Sequence, residues 1–313
     1  MEKSLSDVLI EDLESIGLLD DIEGIIITGD ITTQGDWQLE SIKSIITELQ
    51  IIYESIKVDK ENIFIAPGNH DVVRYHENDE REINEINVEL QTTQEHERYV
   101  REFIEDLTGR GKTEPLDYLK TLHLKDVNVN ICILNSCRVA AESKWTEYGY
   151  VGKAGISILD KLKNAKEKRK TYSLMALHHH LLPVTQVDLL NEKGISLTLD
   201  AIQLLDKASE VGVCIALHGH QHCSRVTQYK RFQYLSETKA INPISIVSSG
   251  SCGVKSSRRT ESMKNSYSVI TFNEDNIKLT TREINNEGKM HSYLYKEVPL
   301  IEQGIPELEV ALQ

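Results

Sequence analysis

An α/β fold is predicted, because helical and strand patterns alternate through the first two-thirds of the chain and short strands with turns fill the last third. A second observation sharpens this: four apolar, strand-like runs end in side chains able to bind metal and move protons. Gly24-Ile25-Ile26-Ile27-Thr28 leads into Gly29-Asp30, and Ile63-Phe64-Ile65-Ala66 leads through Pro67-Gly68 into Asn69-His70-Asp71. Tyr172-Ser173-Leu174-Met175-Ala176-Leu177 runs into His178-His179-His180, and Val213-Cys214-Ile215-Ala216-Leu217 into His218-Gly219-His220-Gln221-His222. Carboxyl ends of strands are where open α/β sheets place ligand sites.

Taken in order, the chain opens on a helix rather than a strand. Leu5, Val8, Leu9, Leu13 and Ile16 fall at helical spacing, with Asp12 in the same stripe. Ser4 and Asp7 have the spacing of a capping box, and Gly17 stands where the helix should end. The strand at 25–28 follows, then a loop over 32–36, and a helix with Leu39, Ile42, Ile45, Ile46 and Leu49 on one face. The strand at 63–66 completes a β-α-β alternation, the sign of a parallel or mixed sheet. Residues 74–120 are acidic and read as a helical insertion lying over the site, with Tyr99, Phe103, Ile104 and Leu107 as an apolar stripe. A strand over 127–134 is closed by Asn135-Ser136. Helices are expected near 155–168 and 198–209, each leading into one of the histidine-bearing strands. Strands over 225–234, 244–248, 267–272 and 277–283 end the pattern.

With 313 residues the chain can bury a large core, and the four ligand-bearing strands must converge, so one domain is expected. Apolar residues at 40% and charged residues at 27% are ordinary globular values that exclude a disordered or membrane-embedded class. No apolar run approaches the ~20 residues that span a bilayer. Met1-Glu2-Lys3-Ser4 lacks the basic-then-apolar order of a signal peptide, so a cytoplasmic location is expected. The five cysteines, Cys132, Cys137, Cys214, Cys223 and Cys252, form no C-x-x-C pair and read as free thiols. A net charge of −14 argues against broad electrostatic binding to a nucleic-acid backbone. It leaves a nuclease open, since bound divalent cations reverse the local field.

Asp30 offers a carboxylate able to bridge two cations, Asn69 an amide oxygen, and His178, His220 and His222 imidazole nitrogens. Such a mixed N/O set suits Mn, Fe, Zn or a similar ion better than a Ca or Mg cage. The His-x-His spacing after a strand lets the two rings diverge to serve neighbouring metals. Two metals ~3.5–4 Å apart can hold a phosphoryl group from both sides and activate a hydroxide, so phosphoester hydrolysis is the reaction that best uses the site.

The order Gly29-Asp30, Gly68-Asn69-His70-Asp71, His178 after an apolar strand and Gly219-His220-Gln221-His222 resembles the calcineurin-like metallophosphoesterase superfamily over roughly residues 5–275. The resemblance implies a two-sheet β-sandwich flanked by helices (αββα), filling residues 1–290 with the insertion at 74–120 and a C-terminal tail at 291–313. It implies that Asp30 bridges two metals, that Asn69, His178 and His220 complete one of them, and that His222 binds the other. His70 would protonate the leaving group or stabilise the transition state, with Asp71 orienting it. His179 and His180 then stand behind the ligands, and His218 is a strand-end residue without a metal.

One departure matters. The family begins with a strand ending in Asp-x-His that supplies two ligands to the metal shared with His222, whereas Ser6-Asp7-Val8-Leu9 here lies in the first helix. That metal should bind weakly, and a gap should open beside the strand at 25–28. An upstream segment, a partner chain or a homo-oligomer that completes the site, and loss of one metal site, are the competing accounts; retention of His70 and of all four ligands of the other metal favours an upstream segment. The function expected is hydrolysis of a phosphodiester or phosphomonoester by a metal-bound hydroxide, with a nucleotide or nucleic acid as candidate substrate and no membrane partner. The alternative is a metal-binding regulatory or interaction subunit with little catalysis.

Overall fold

In the computed structural model, which describes residues 4–32, 37–74, 94–141, 145–164, 169–183, 196–231, 242–253, 265–284 and 294–301, the central layer is a six-stranded mixed sheet. Its strands are β3 (Tyr118–His123), β4 (Asn128–Ile133), β5 (Thr171–Ala176), β6 (Val213–His218), β7 (Ser224–Tyr229) and β8 (Ile244–Ser249), in the order β3-β4-β5-β6-β8-β7. The inner four run parallel, and β3 and β7 close the edges antiparallel. All six residues of β4 are buried, as a strand covered on both faces requires. One face packs Cys132, Met175, Val213 and Ile246 under α4 (Gly152–Ile158) and α5 (Ala201–Val211). The other packs Val129, Ile131, Leu174 and Ile215 against a second β layer.

That second layer consists of two ribbons. β1 (Ile25–Ile27) pairs parallel with β2 (Ile63–Ile65), in the register Ile25↔Ile63 to Ile27↔Ile65. β9 (Asn265–Phe272), β10 (Ile277–Ile284) and β11 (Leu294–Ile301) form an antiparallel ribbon in the order β11-β10-β9. Phe64 and Ile26 of the first ribbon, and Ile270 and Leu279 of the second, enter the same core against β4 and β5. Outside this layer lie α1 (Leu5–Ser15), α2 (Leu39–Ser55) and α3 (Arg98–Thr108), sharing a core of Leu13, Ile52, Phe103, Ile63, Tyr267 and Val269. The expected helix–sheet–sheet–helix layering is therefore present. Among the described residues β1 has a ladder partner on one side alone.

Some expectations are corrected. Residues 118–120, placed at the end of the insertion, open β3, whose half-exposed edge pattern carries little apolar signal. The apolar stripe at Phe103, Ile104 and Leu107 belongs to α3, which packs on α2 within the core; residues 75–93 lie outside the described ones. Residues 294–301, placed in a tail, pair with β10 as β11, an edge position that tolerates Pro299. The helix expected over 155–168 is α4 followed by a tighter 3₁₀ stretch, Leu159–Asn164, while 165–168 are outside the described residues.

α1 is capped as its sequence predicts, with Ser4 Oγ accepting from Asp7 N and Asp7 returning a bond to Ser4 N. Its one buried carboxylate, Asp12, accepts from Arg282 Nε at 2.8 Å, from Arg282 Nη2 and from Tyr267 Oη. This pins the first helix to β9 and β10. Burial, followed by the bond to Asp12, drives the Tyr267 phenol far above its ordinary range. Removing one member of a buried ion pair strands the other, at about 3–5 kcal/mol. Asp12→Ala is expected to lose stability of that order in urea unfolding, whereas Asp12→Leu combined with Arg282→Met should recover part of it; additive losses would contradict this reading.

Parallel pairing of β1 and β2 also brings their exit turns together. A Cβ on Gly68 would lie 2.1 Å from Asp30 N and 2.2 Å from Asp30 Oδ1, and one on Gly29, at φ 90°, 2.5 Å from Gly68 N. Both turns therefore need glycine. Gly68→Ala is expected to displace Asp30, lowering the urea midpoint and divalent-ion affinity together, while Gly253→Ala, where nothing among the described residues lies within 4 Å, leaves both unchanged.

Candidate metal centre

The four strand ends that carry ligand-type residues meet at one place, because β1 and β2 in one layer and β5 and β6 in the other are parallel pairs that stop at the same edge. Asp30 follows β1, Asn69 opens the 3₁₀ turn Asn69–Asp71 after β2, His178 follows β5, and His220 follows β6. Asn69 and His178 are wholly buried. Asp30, His220 and His222 are all non-glycine residues in left-handed backbone, at φ 56°, 78° and 53°. Strain of this kind costs of order 1–3 kcal/mol per residue and is found where a side chain must be aimed at a site.

The geometry centres on His178. Its Nδ1 lies 2.7 Å from the Thr28 carbonyl, which only accepts, so Nδ1 carries a proton. Its Nε2 lies 3.0 Å from Asn69 Oδ1, 3.1 Å from His220 Nδ1 and 3.4 Å from Asp30 Oδ2. Three lone-pair atoms thus approach His178 Nε2, and one proton on that nitrogen can serve only one of them at a time. Ligands bound at ~2.0–2.2 Å with angles near 90–109° stand about 2.8–3.6 Å apart, so each of these three spacings from His178 Nε2 suits a shared cation. The hydrogen bonds behind the donors fit as well: Thr28 O holds His178, and Ser196 Oγ lies 3.0 Å from His220 Nε2. The residues present therefore fit a divalent metal.

Electrostatics agree. Burial opposes ionisation of Asp30, but contact with His178 and the nearby His70 outweigh it and hold the carboxyl well below its usual range. Burial likewise opposes charge on His178, and Asp30 overrides it upward. His220 is pushed down to about 3 by burial and by His178, so it offers a neutral nitrogen.

His222 sits beside this group, near enough for Asp30 to act on its charge, but among the described residues no hydrogen bond joins the two. His70 donates its backbone N–H to Asp30 Oδ1 at 3.1 Å and is half-buried. The oxygens of Asp71 accept from Gly68 N at 2.8 Å and Thr32 N at 3.1 Å, so it closes the turn that presents Asn69 and carries His70. The tight Asn69–Asp71 turn aims the carboxylate back at its own strand end. Burial, then the charge of Asp30, pushes Asp71 up to about 7.

Reading the sequence as ligands missed the supports. Thr28 acts through a backbone carbonyl and left no side-chain signal. Ser136 left only the weak signal of a hydroxyl near a strand end, and Ser196, in the segment before α5, not even that. His179, read as standing behind His178, has a ring nitrogen within 4.8 Å of those of His178 and His220 and bonds to Ser136 Oγ at 2.9 Å. His180 packs its ring on His218, 4.5 Å between centroids, and lies 5.7 Å from the His220 ring.

The model of the calcineurin-like phosphoesterase family matches residues 6–224. No curated protein sequence matches the chain. Among solved structures, a purple acid phosphatase from yellow lupin (Lupinus luteus) seeds is similar at 14% identity and a TM-score of 0.56, over 93% of this chain and 48% of that one. PhoD is similar at 10% identity and a TM-score of 0.51, over 92% of this chain and 66% of that one. This chain thus spans about half the length of the lupin enzyme, and at these identities the likeness is one of fold. Because the family match covers most of the chain and contains all four ligand-bearing strand ends, the protein belongs to the calcineurin-like phosphoesterase family.

Proposed function

We propose that this chain hydrolyses a phosphoester at the carboxyl ends of β1, β2, β5 and β6, with Asp30, Asn69, His178 and His220 holding a divalent cation such as Mn, Fe or Zn. The observation that supports this most is the approach of three lone-pair atoms to His178 Nε2 within 3.4 Å. When bound, the ion would supply Lewis-acid polarisation of the phosphoryl group and a nucleophile from water.

The chain's own residues do the rest. Asp30 keeps its charge against burial, and its second oxygen is steadied by His70 N. His222, near enough to Asp30 to feel its charge, would take a second and weaker ion. His70, on the rim, would give a proton to the leaving oxygen; Asp71 and Thr32 fix the turn that carries it. A nucleotide or a phosphodiester in nucleic acid is the substrate class most in keeping with a site that uses metal charge on an otherwise acidic protein, and the cytoplasm is its proposed location.

One observation favours a second reading. Among the described residues, His178, His179 and His220 are the only group of three or more His, Cys, Asp or Glu residues whose ligand atoms all lie within 4.8 Å of one another, and His222 is not in it. A chain with one filled site and little catalysis would serve as a metal-binding interaction subunit, and a partner chain would then be needed to complete the second site.

Hydrolysis of an aryl phosphodiester in Mn buffer separates the two. The enzyme reading expects Mn-stimulated turnover that disappears, together with bound metal, in His178→Ala and His220→Ala. His70→Ala should keep the metal and lose about 10²–10⁴ in kcat. Metal-loaded wild type that cleaves neither aryl mono- nor diesters nor single-stranded DNA would support the interaction subunit instead.

A further inference from the structure

We propose that Ser136 is a positioning residue of the metal centre: its hydroxyl replaces the strand that β5 loses at His178, and it locks the His179 ring as a buried donor behind the ligands. The inference rests on the assignment of Asp30, Asn69, His178 and His220 as ligands.

Backbone accounting carries it. β4 and β5 pair as far as Ile133↔Ala176, and the last bond between them is Leu134 N to Ala176 O, at 2.9 Å. β4 then turns away, because Asn135 gives its N–H to Asp117 Oδ1 and its side-chain NH₂ to Glu97, and accepts from Cys137 N. On its other side β5 stays tied to β6, through Leu177 N to Leu217 O and Gly219 N to His178 O. The amides of His178 and His179 thus leave the ladder at a fully buried place, where an unpaired N–H costs about 1–3 kcal/mol. Ser136 Oγ stands 3.3 Å from His178 N and 3.2 Å from His179 N, and accepts from both. Ser136 is itself buried, and its carbonyl accepts from Tyr150 N at 2.8 Å.

An oxygen that accepts two N–H groups has one proton left to give, and His179 Nδ1 lies 2.9 Å away. That bond makes Nδ1 the acceptor and places the His179 proton on Nε2, which is buried without a hydrogen-bond partner among the described residues. A protonated ring nitrogen has no lone pair for a metal. His179 is therefore excluded as a ligand, although one of its nitrogens lies within 4.8 Å of those of His178 and His220. Its ring packs on both instead, with centroids 5.0 and 4.8 Å away. Gly149 closes the pocket behind it, since a Cβ there would fall 2.6 Å from His179 Cβ. Ser136 thus sets the height of the His178 backbone and the wall against which the His178 and His220 rings rest. Metal sites tolerate distance errors of only ~0.2 Å.

The test is Co(II) binding by the full chain, followed by equilibrium titration and by the visible absorption of the bound ion. Ser136→Ala is expected to weaken Co(II) affinity about 10–100-fold and to change the absorption band. A merely structural serine would lower the melting temperature but leave affinity and band of the folded protein as in wild type, and that result overturns the proposal. The second measurement needs no variant. In zinc-loaded protein labelled with ¹⁵N-histidine, long-range ¹H–¹⁵N spectra should show His179 protonated at Nε2, with Nδ1 as the acceptor. An unprotonated His179 Nε2 shifted by the metal would make His179 a ligand and overturn the proposal even if Ser136→Ala fails to fold. Wild type that binds neither Co(II) nor Zn(II) overturns the ligand assignment and this proposal with it; wild-type binding that Ser136→Ala leaves unchanged overturns this proposal alone.

Discussion

Three lone-pair atoms brought within 3.4 Å of a fourth, His178 Nε2, are the constraint on which the site depends. Such an arrangement is unfavourable in a buried place unless something positive stands between its members. A proton on His178 relieves it partly, which is why Asp30 is held low and His178 high, but a divalent cation relieves it for all four donors at once. The surrounding structure can be read as the means of keeping these atoms together against their mutual preference for water.

Those means begin with backbone. Parallel pairing puts the exits of β1 and β2 side by side, and two glycines let the turns touch closely enough for Asp30 and Asn69 to share a cation. Left-handed residues then aim Asp30, His220 and His222 at positions ordinary strand geometry would not reach. The strain is held by the cores on both sides of the six-stranded sheet and by the first helix, which Asp12 ties to β9 and β10. Stability and function are thus linked through the same turns: loosening the layer that contains β1 also loosens Asp30.

Much of this was legible in sequence because the signals were local. The Ser4–Asp7 cap, the apolar runs of β1, β2, β5 and β6, and the polar residues at their ends each lie within a few positions of one another. What was not legible depends on partners far along the chain. Asp12 sits in the apolar stripe of α1, and nothing near it announces Arg282. Periodicity identified the apolar face of α3 but not what it packs against. β3 and β11 are edge strands, so half-exposed side chains in the first and Pro299 in the second blurred their pattern. The bond from Gly68 N to the Asp71 carboxylate, across a single 3₁₀ turn, also left no signal in the sequence. Ser136 shows the remaining limit: a hydroxyl after a strand becomes meaningful only once the neighbouring strand is known to end in a ligand.

The central claim is that these four side chains make a cation site, and metal stoichiometry tests it most directly. The full chain and His178→Ala would be equilibrated with Mn(II), freed of unbound ion and analysed for bound Mn per chain. The account predicts about one tightly held ion in wild type, with any second ion weaker, and none at the four-ligand site in the variant. Wild type that retains no Mn, or a His178→Ala protein that retains as much as wild type, would contradict it.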